Sequence, residues 1–510
     1  MLKKIKSLAF YGLDILPVDV EVNISNAGIP GFEIVGLPNK SIEESKHRVK
    51  SAIQQCGFKF PNKKITVNLA PADINKEGSF YDLAIAVGIL SVSENIEIQE
   101  NELYYGELSL DGTIRHTRGT FNAALFALEN GYNAVYISET DHKVCSGCPN
   151  LPVYCFKHLS DLLDHLKGIH IKVPRIYQEG TEKLYAENNV ATLLFDDIVG
   201  HEKAKKMAAV LAAGGHHMLM IGSPGIGKTL LASALPSILP NLSFEESLEV
   251  TKVYSYTGLI NYSDGIMTLP PVRTPHHSTT YVGMIGGGSV PRPGEITLAH
   301  LGVLFMDEFC EFPRQVIEVL RQPLELGYIS LARARYNIEF PAKFTLLAAS
   351  NPCKCGYQGD TARACTCTDR DIHNYLSKLS GPIMDRLDLL VRMTKIPDIL
   401  LNKKSSTPEY TSGYLRSLVA QAREIQRFRY KNCGPIINRD LNLTLLPKYA
   451  AIRHPEALLL NKACDVYKLS PRSCHKIIRV ARTLADMEGV EDISERHIME
   501  SIQYKCEGEL

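Results

Sequence analysis

Hydrophobic positions recur with different periods along the chain. In Ile65-Thr66-Val67-Asn68-Leu69 apolar and polar residues alternate, and Ala134-Val135-Tyr136-Ile137 is a short β-rich run; both predict strands. Ser41–Cys56 has helical spacing, so residues 1–168 predict an α+β or α/β domain. Residues 169–194 hold no sustained period and carry Pro174, Gly180 and several charges, which predicts a linker. Over residues 195–397 strands and helices alternate around glycine-rich loops, the pattern of an α/β parallel sheet wrapped by helices. Residues 398–510 turn helical after the polar stretch Asn402–Ser412, and Ile477, Ile478, Ala481, Leu484 and Ala485 mark one apolar stripe.

Length and composition add limits. At 510 residues the chain is too long for one ordinary domain, and 45% hydrophobic with 22% charged residues is globular composition. Lys plus Arg equals Asp plus Glu at 56 each, so any nucleic-acid binding must come from local patches. No apolar run is long enough to span a membrane. Asp14 interrupts the N-terminal stretch and no small-residue cleavage site follows, so no signal peptide is expected. Thirteen cysteines in such a chain predict reduced thiols or metal ligands, a cytoplasmic protein, and no disulfide framework.

The clearest chemistry lies in Gly222-Ser223-Pro224-Gly225-Ile226-Gly227-Lys228-Thr229, which satisfies G-x-x-x-x-G-K-[ST] between the apolar run Met218–Ile221 and the helix formers Leu230–Leu235. Glycines let backbone N–H groups turn onto phosphates, and the following helix presents its positive end. Lys228 would reach the β- and γ-phosphates, and the Thr229 hydroxyl would hold Mg²⁺. Farther on, Gly302–Met306 reads as a buried strand ending in Asp307 and Glu308. Asp307 suits Mg²⁺, and Glu308 is placed to activate water as a general base. The two motifs together predict hydrolysis of a nucleoside triphosphate, with ATP and Mg²⁺ as cofactors.

Cys353-Lys-Cys355 and Cys365-Thr-Cys367 are two C-x-C pairs on one short segment. Four thiolates there can close a tetrahedral Zn²⁺ site, with reduced free thiols as the alternative. Cys145, Cys148 and Cys155 with His142 or His158 form a weaker second grouping, and His276-His277 lacks further ligands and is assigned to loop structure or pore lining.

The order of these motifs resembles an AAA+ ATPase, and more closely the ComM/YifB family of magnesium-chelatase-like ATPases, over nearly the whole chain. The resemblance implies that Ile198 and Val199, in Phe195–Gly200, pack on the adenine. It implies that Asn351, in Leu347–Pro352, is sensor 1, orienting the lytic water. Arg386, in Leu379–Asp388, would be an arginine finger reaching the γ-phosphate of a neighbouring subunit, which suits a planar guanidinium. Arg472 would be sensor 2, acting from the same subunit as the phosphate loop. Ser470-Pro471 caps its helix and puts Arg472 in the first turn, where a cation is unfavourable unless an anion is near. Surface ion pairing is the alternative for both arginines.

Between the nucleotide motifs, Gly286–His300, which includes Arg292, resembles the helix-2 insertion of the magnesium-chelatase and MCM branch. Gly327–Tyr336 resembles the pre-sensor-1 hairpin, in which Arg333 and Arg335 alternate on one strand face as phosphate tracking requires. A solvated strand edge guarded by positive charge is the alternative. Lys468, Arg472, His475, Lys476, Arg479 and Arg482 form a further basic patch. Residues 1–168 resemble the S5-like Lon-protease domain, but the columns of its serine and lysine hold Phe80 and Phe121, with Ser79 one place early. A Ser–Lys dyad needs both groups, so the domain is expected to be noncatalytic, serving assembly or DNA holding. Such a domain also argues against a porphyrin-chelating subunit.

The resemblance thus implies a homo-hexameric ATP-dependent DNA motor, a helicase or branch-migration enzyme of homologous recombination and natural transformation, with DNA in a central pore and no membrane partner. The alternative is a chelatase-like or protein-remodelling motor without DNA.

Overall fold

The computed structural model describes residues 2–72, 76–178, 193–262, 264–288, 291–333, 336–360, 363–379, 381–395 and 410–506. The chain divides into two compact units, Met1–Asn189 with Ser243–Thr268, and Val190–Leu242 with Leu269–Leu510. Ser243–Thr268, which chain order leaves inside the 195–397 segment, therefore belongs with the first unit.

The first unit carries β1 (Leu2–Tyr11), β2 (Asp14–Ser25), β3 (Gly31–Val35), β4 (Lys64–Ala70), β5 (Glu102–Tyr104), β6 (Glu107–Leu108), β7 (Ile114–Arg115), β8 (Ala134–Ser138) and β9 (Val153–Phe156). Seven of them form one mixed sheet in the order β3-β4-β2-β1-β5-β8-β9. The alternation in β4 has its expected result: Ile65, Val67 and Leu69 are fully buried, and the residues between them are half-buried. The first helix runs Lys40–Gln55, started by Asn39, whose side chain accepts from the Ile42 amide at 3.1 Å. Asp82, fully buried at the head of the apolar helix Asp82–Ser93, is paired with Arg48 at 2.6 Å.

Phe80 and Phe121, expected in the columns of a protease dyad, are core residues here, 2% and 0% exposed. Phe80 packs among the rings of Phe10, Tyr81 and Tyr105, and the Phe121 amide donates to Ser255 Oγ at 3.3 Å. The neighbouring Ser79 hydroxyl is bonded to Glu107. The segment expected to be a linker is docked over its first part. Arg175 exchanges backbone hydrogen bonds of 2.8 and 2.9 Å with Val153 on the edge strand β9, and Tyr177 Oη donates to the His142 carbonyl at 2.7 Å. Residues 179–192 lie outside the described residues.

The second unit contains β10 (Met218–Ile221), β11 (Val272–Arg273), β12 (Gly286–Gly287), β13 (Arg292–Pro293), β14 (Val303–Met306), β15 (Tyr328–Arg333), β16 (Tyr336–Pro341), β17 (Thr345–Ser350) and β18 (Leu389–Arg392). Its core is the parallel sheet β11-β14-β17-β10-β18. Every residue of β10 and β14 is buried, as expected for parallel strands covered by helices on both faces. The phosphate loop follows β10, the Asp307-Glu308 pair follows β14 and Asn351 follows β17. Three neighbouring strand ends thus carry the sequence-predicted groups to one edge of the sheet.

The C-terminal region is helical, with Ser412–Arg429, His454–Tyr467, Pro471–Glu488 and Glu495–Cys506 as its longer helices. Ser470 caps the third, accepting from the Ser473 amide at 3.2 Å, and the stripe from Ile477 to Ala485 is buried. The same helix corrects the basic-patch expectation. Lys476 and Arg482 are 6% and 3% exposed, because the apolar stripe turns them inward to Asp388 and Asp486 at 2.9 and 3.0 Å. Only the outer members of that cluster face solvent. The sulfurs of Cys464 and Cys474 lie side by side, the first on the helix His454–Tyr467 and the second on Pro471–Glu488. No described helix is long and apolar enough to cross a membrane.

Candidate nucleotide site

Gly225 and Gly227 adopt φ of +76° and +102°, left-handed values that glycine reaches without strain, and the helix Lys228–Ala234 starts directly after them. Lys228 is 8% exposed. Its ammonium donates to the Gly222 carbonyl, to the Ser223 carbonyl at 3.0 Å and to Asn351 Oδ1 at 3.0 Å. Burial lowers its pKa, and the charges of Asp307 and Glu308 oppose that fall. An ammonium satisfied by two carbonyls and an amide is held ready for phosphate oxygens, which make stronger charge-assisted bonds.

Thr229 Oγ1 donates to Asp307 Oδ2 at 2.7 Å, and the Glu308 amide donates to Asp307 Oδ1 at 2.8 Å. The hydroxyl and carboxylate expected to share Mg²⁺ are therefore already adjacent, and an oxygen-only donor set suits that ion. Glu308 stands at φ +52° and its carboxylate faces His277 Nδ1 at 3.0 Å. His277, assigned from sequence to loop or pore, thus meets the candidate base.

Ile198 is buried and Val199 is 41% exposed, leaving an apolar surface beside the loop. This segment is tied to the phosphate loop by His201, whose Nε2 lies 2.9 Å from the Ile226 carbonyl; burial lowers the pKa of that imidazole, which favours the neutral donor form. Sequence reading passed over His201.

Arg386 is 11% exposed at its side chain and donates to the Pro382 and Arg321 carbonyls at 2.7 and 3.1 Å and to Glu325. Arg472 donates to the other oxygen of Glu325 at 2.9 Å. Burial would raise the Glu325 pKa, but the two guanidinium groups outweigh it and hold the carboxyl below its ordinary value. The two arginines, which the resemblance divides between neighbouring subunits, thus meet on one carboxylate. Sequence reading missed Glu325, because nothing local marks it.

The four cysteines of the C-x-C pairs converge. Their sulfurs lie within 4.8 Å of one another, with separations of 3.3, 3.5 and 3.6 Å among Cys353, Cys355 and Cys365. Zinc–sulfur bonds of about 2.3 Å in a tetrahedron place sulfurs about 3.8 Å apart, so the cluster is compatible with a structural ion. Amides of Tyr357 and Thr366 bring the Cys355 thiol down to about 5. The Cys367 amide favours the Cys365 thiolate too, but desolvation and the neighbouring sulfurs outweigh it and push that thiol up to about 12. Without a cation the sulfurs cannot all ionise, and a divalent ion removes that repulsion. The loop also abuts the phosphate loop, since a Cβ on Gly356 would sit 2.7 Å from Pro224. Gln358–Asp360 line a cleft of about 370 Å³ with Gly222, Ser223 and Ile226.

Cys145, Cys148 and Cys155 are buried thiols with pKa values raised by burial, and among the described residues only the Cys353–Cys367 group brings three or more His, Cys, Asp or Glu ligands together. Arg292 is exposed on β13, within the short hairpin β12–β13. Arg335 and the side chain of Arg333 lie outside the described residues.

Three family models match the chain: "Magnesium chelatase, subunit ChlI" at residues 194–400, "Subunit ChlI of Mg-chelatase" at 20–141, and "Magnesium chelatase, subunit ChlI C-terminal" at 409–505. YifB of Salmonella typhimurium is 39% identical over 508 residues, covering 98% of this chain and 96% of that protein. The competence protein ComM of Haemophilus influenzae is 38% identical over 504 residues, with the same coverage of 98% and 96%. The DNA replication licensing factor Mcm6 of Anopheles gambiae is 21% identical over 348 residues, 64% of this chain and 38% of that protein.

Proposed function

The chain belongs to the ComM/YifB family of magnesium-chelatase-like AAA+ ATPases, and from that premise we propose a homo-hexameric, ATP-dependent DNA motor. Its work is helicase or branch-migration activity in homologous recombination, including natural transformation. The observation that carries this reading is the match over 98% of the chain to a protein named for competence. The partial likeness to a DNA replication licensing factor supports the same substrate.

In this reading Lys228 leaves Asn351 and the Gly222 and Ser223 carbonyls for the β- and γ-phosphates, and Ile198 and Val199 pack on adenine. Thr229 and Asp307 hold Mg²⁺, which when bound neutralises charge on the phosphate oxygens. Asn351 orients the attacking water and Glu308 takes its proton. Arg386 stabilises the γ-phosphoryl charge in the site of the neighbouring subunit. Because Arg472 shares Glu325 with Arg386, we assign both arginines to that same neighbouring nucleotide. Residues 1–168 are noncatalytic, serving assembly or DNA holding; 169–194 link them to the ATPase core at 195–397 and the helical lid at 398–510. Zn²⁺ on Cys353, Cys355, Cys365 and Cys367 braces the segment after sensor 1. Arg292, Arg333 and Arg335 contact the DNA backbone in the pore.

A synthetic four-way junction tests the reading. The motor should resolve it into two duplexes with ATP and not with a non-hydrolysable analogue. The rival is a chelatase-like or protein-remodelling motor, favoured by the descriptions of the matching family models. For that rival the junction would remain intact with either nucleotide.

A further inference from the structure

Between Glu44 and Asp73 the chain carries Lys46, Arg48, Lys50, Lys59, Lys63 and Lys64 and no carboxylate, although acidic and basic residues balance over the whole sequence. Arg48 is turned inward to Asp82. Lys50, Lys59, Lys63 and Lys64 are exposed, and among the described residues none of them is ion-paired. Aromatic residues are interleaved with them in Phe58-Lys59-Phe60-Pro61-Asn62-Lys63-Lys64, the run that leads from the first helix into β4.

β3 is the edge strand of the seven-stranded sheet. Its parallel pairing with β4 sets Phe32 beside Ile65, and the Gly31 amide donates to the Lys63 carbonyl at 3.3 Å. The rings of Phe32 and Phe60 meet there, 5.6 Å apart between centroids, and the Lys50 ammonium stands 5.7 Å from the Phe60 centroid. Both rings are half-exposed. Side chains alternate along a strand, so Glu33 projects from the face of β3 opposite Phe32 and does not neutralise the patch.

Lysines alone can guard an open sheet edge. That role does not call for two aromatic rings kept at the surface among them. Unpaired cations around surface rings fit a flexible polyanion that carries flat bases, because lysines track its phosphates while the bases stack on the phenyl faces. A duplex keeps its bases stacked on one another and offers these rings nothing. We propose that the Phe32–Phe60 edge of the first unit is a binding surface for single-stranded DNA. Phe60 is its stacking platform, and Lys50, Lys59, Lys63 and Lys64 contact phosphates. The inference rests on DNA being the substrate, and it gives the noncatalytic domain the task of holding an unpaired strand.

Fluorescence anisotropy of the full chain on a labelled oligothymidylate and on a labelled duplex, read over a range of salt, tests the surface. The triple variant Lys59→Gln, Lys63→Gln, Lys64→Gln should bind the single strand about tenfold more weakly, with a salt slope lower by about two, since each lost contact removes about 0.7. Phe60→Ala should weaken single-strand binding about fivefold with its salt slope kept and duplex affinity within about twofold, and Phe60→Tyr should restore it. The three lysines are exposed and support no core, so their variant keeps the test independent of folding. DNA-free ATPase should match wild type throughout. Single-strand binding unchanged in the triple variant and in Phe60→Ala overturns the proposal and leaves the patch to an acidic protein partner. Loss in the triple variant alone overturns the stacking site. A wild type that binds no DNA of any kind overturns the DNA reading itself, and this surface with it.

Discussion

The ammonium of Lys228 donates to the amide oxygen of Asn351 at 3.0 Å, although 123 positions separate them in the chain. Parallel pairing of β10 with β17 puts the ends of both strands side by side. The lysine and the amide therefore satisfy each other across the sheet edge. Lys228→Ala should reduce hydrolysis by about 10²-fold or more. Asn351→Ala should leave ATP binding in place and lower turnover. Equilibrium binding of a fluorescent ATP analogue beside steady-state turnover checks both, and retained turnover in Lys228→Ala would remove the phosphate-loop assignment.

Glu325 makes a prediction about which subunit each arginine serves. Chains carrying Lys228→Ala and chains carrying Arg386→Ala should each be inactive alone. Mixed, they should recover hydrolysis, because an intact phosphate loop then meets an intact finger from its neighbour. Mixing Arg386→Ala with Arg472→Ala should recover nothing if both arginines serve one nucleotide. Recovery in that second mixture would return Arg472 to its own subunit's site.

The phosphate loop, the Asp307-Glu308 pair and the C-x-C pairs were legible in the sequence because their chemistry needs neighbouring residues at fixed spacing. The apolar stripe from Ile477 to Ala485 was legible because helix burial follows period. Glu325 and His277 were not. Each meets partners distant in the chain, His277 across paired strands and Glu325 across helices, and no spacing encodes that. The basic patch misled for a related reason. Counting charges along Lys468–Arg482 ignores that Lys476 and Arg482 fall on the buried side of their helix, where Asp388 and Asp486 wait. The grouping of Ser243–Thr268 with the first unit was equally hidden, since that segment enters it from inside the ATPase sequence.

Metal removal tests the cysteine cluster. The purified chain should carry one zinc ion, released by an organomercurial reagent. Cys353→Ser should lose it and melt at a lower temperature. Because Gly356 rests on Pro224, nucleotide affinity should weaken as the metal leaves. A chain that binds ATP normally and contains no zinc would leave these as free thiols.

Lys476 gives a pH signature. Burial outweighs the attraction of Asp388 and lowers its ammonium from 10.5 to about 8. Below about pH 8 the group is charged in both folded and unfolded chains, and the full cost of burying it is present. Between there and its unfolded value the unfolded chain binds the extra proton, so stability rises with pH by about 3 kcal/mol. Lys476→Met lacks this response. The melting temperature of the wild type minus that of the variant should therefore increase across that window, and a flat difference would contradict the assignment.

The most direct test of the DNA motor is the steady-state ATPase rate with no DNA and with single-stranded, duplex and four-way-junction DNA, at two salt concentrations. The account predicts strong stimulation, greatest with junction or single-stranded DNA and weaker at the higher salt, because phosphate contacts release counterions. Turnover that ignores every DNA at both salts would contradict the motor and leave an AAA+ ATPase directed at another partner.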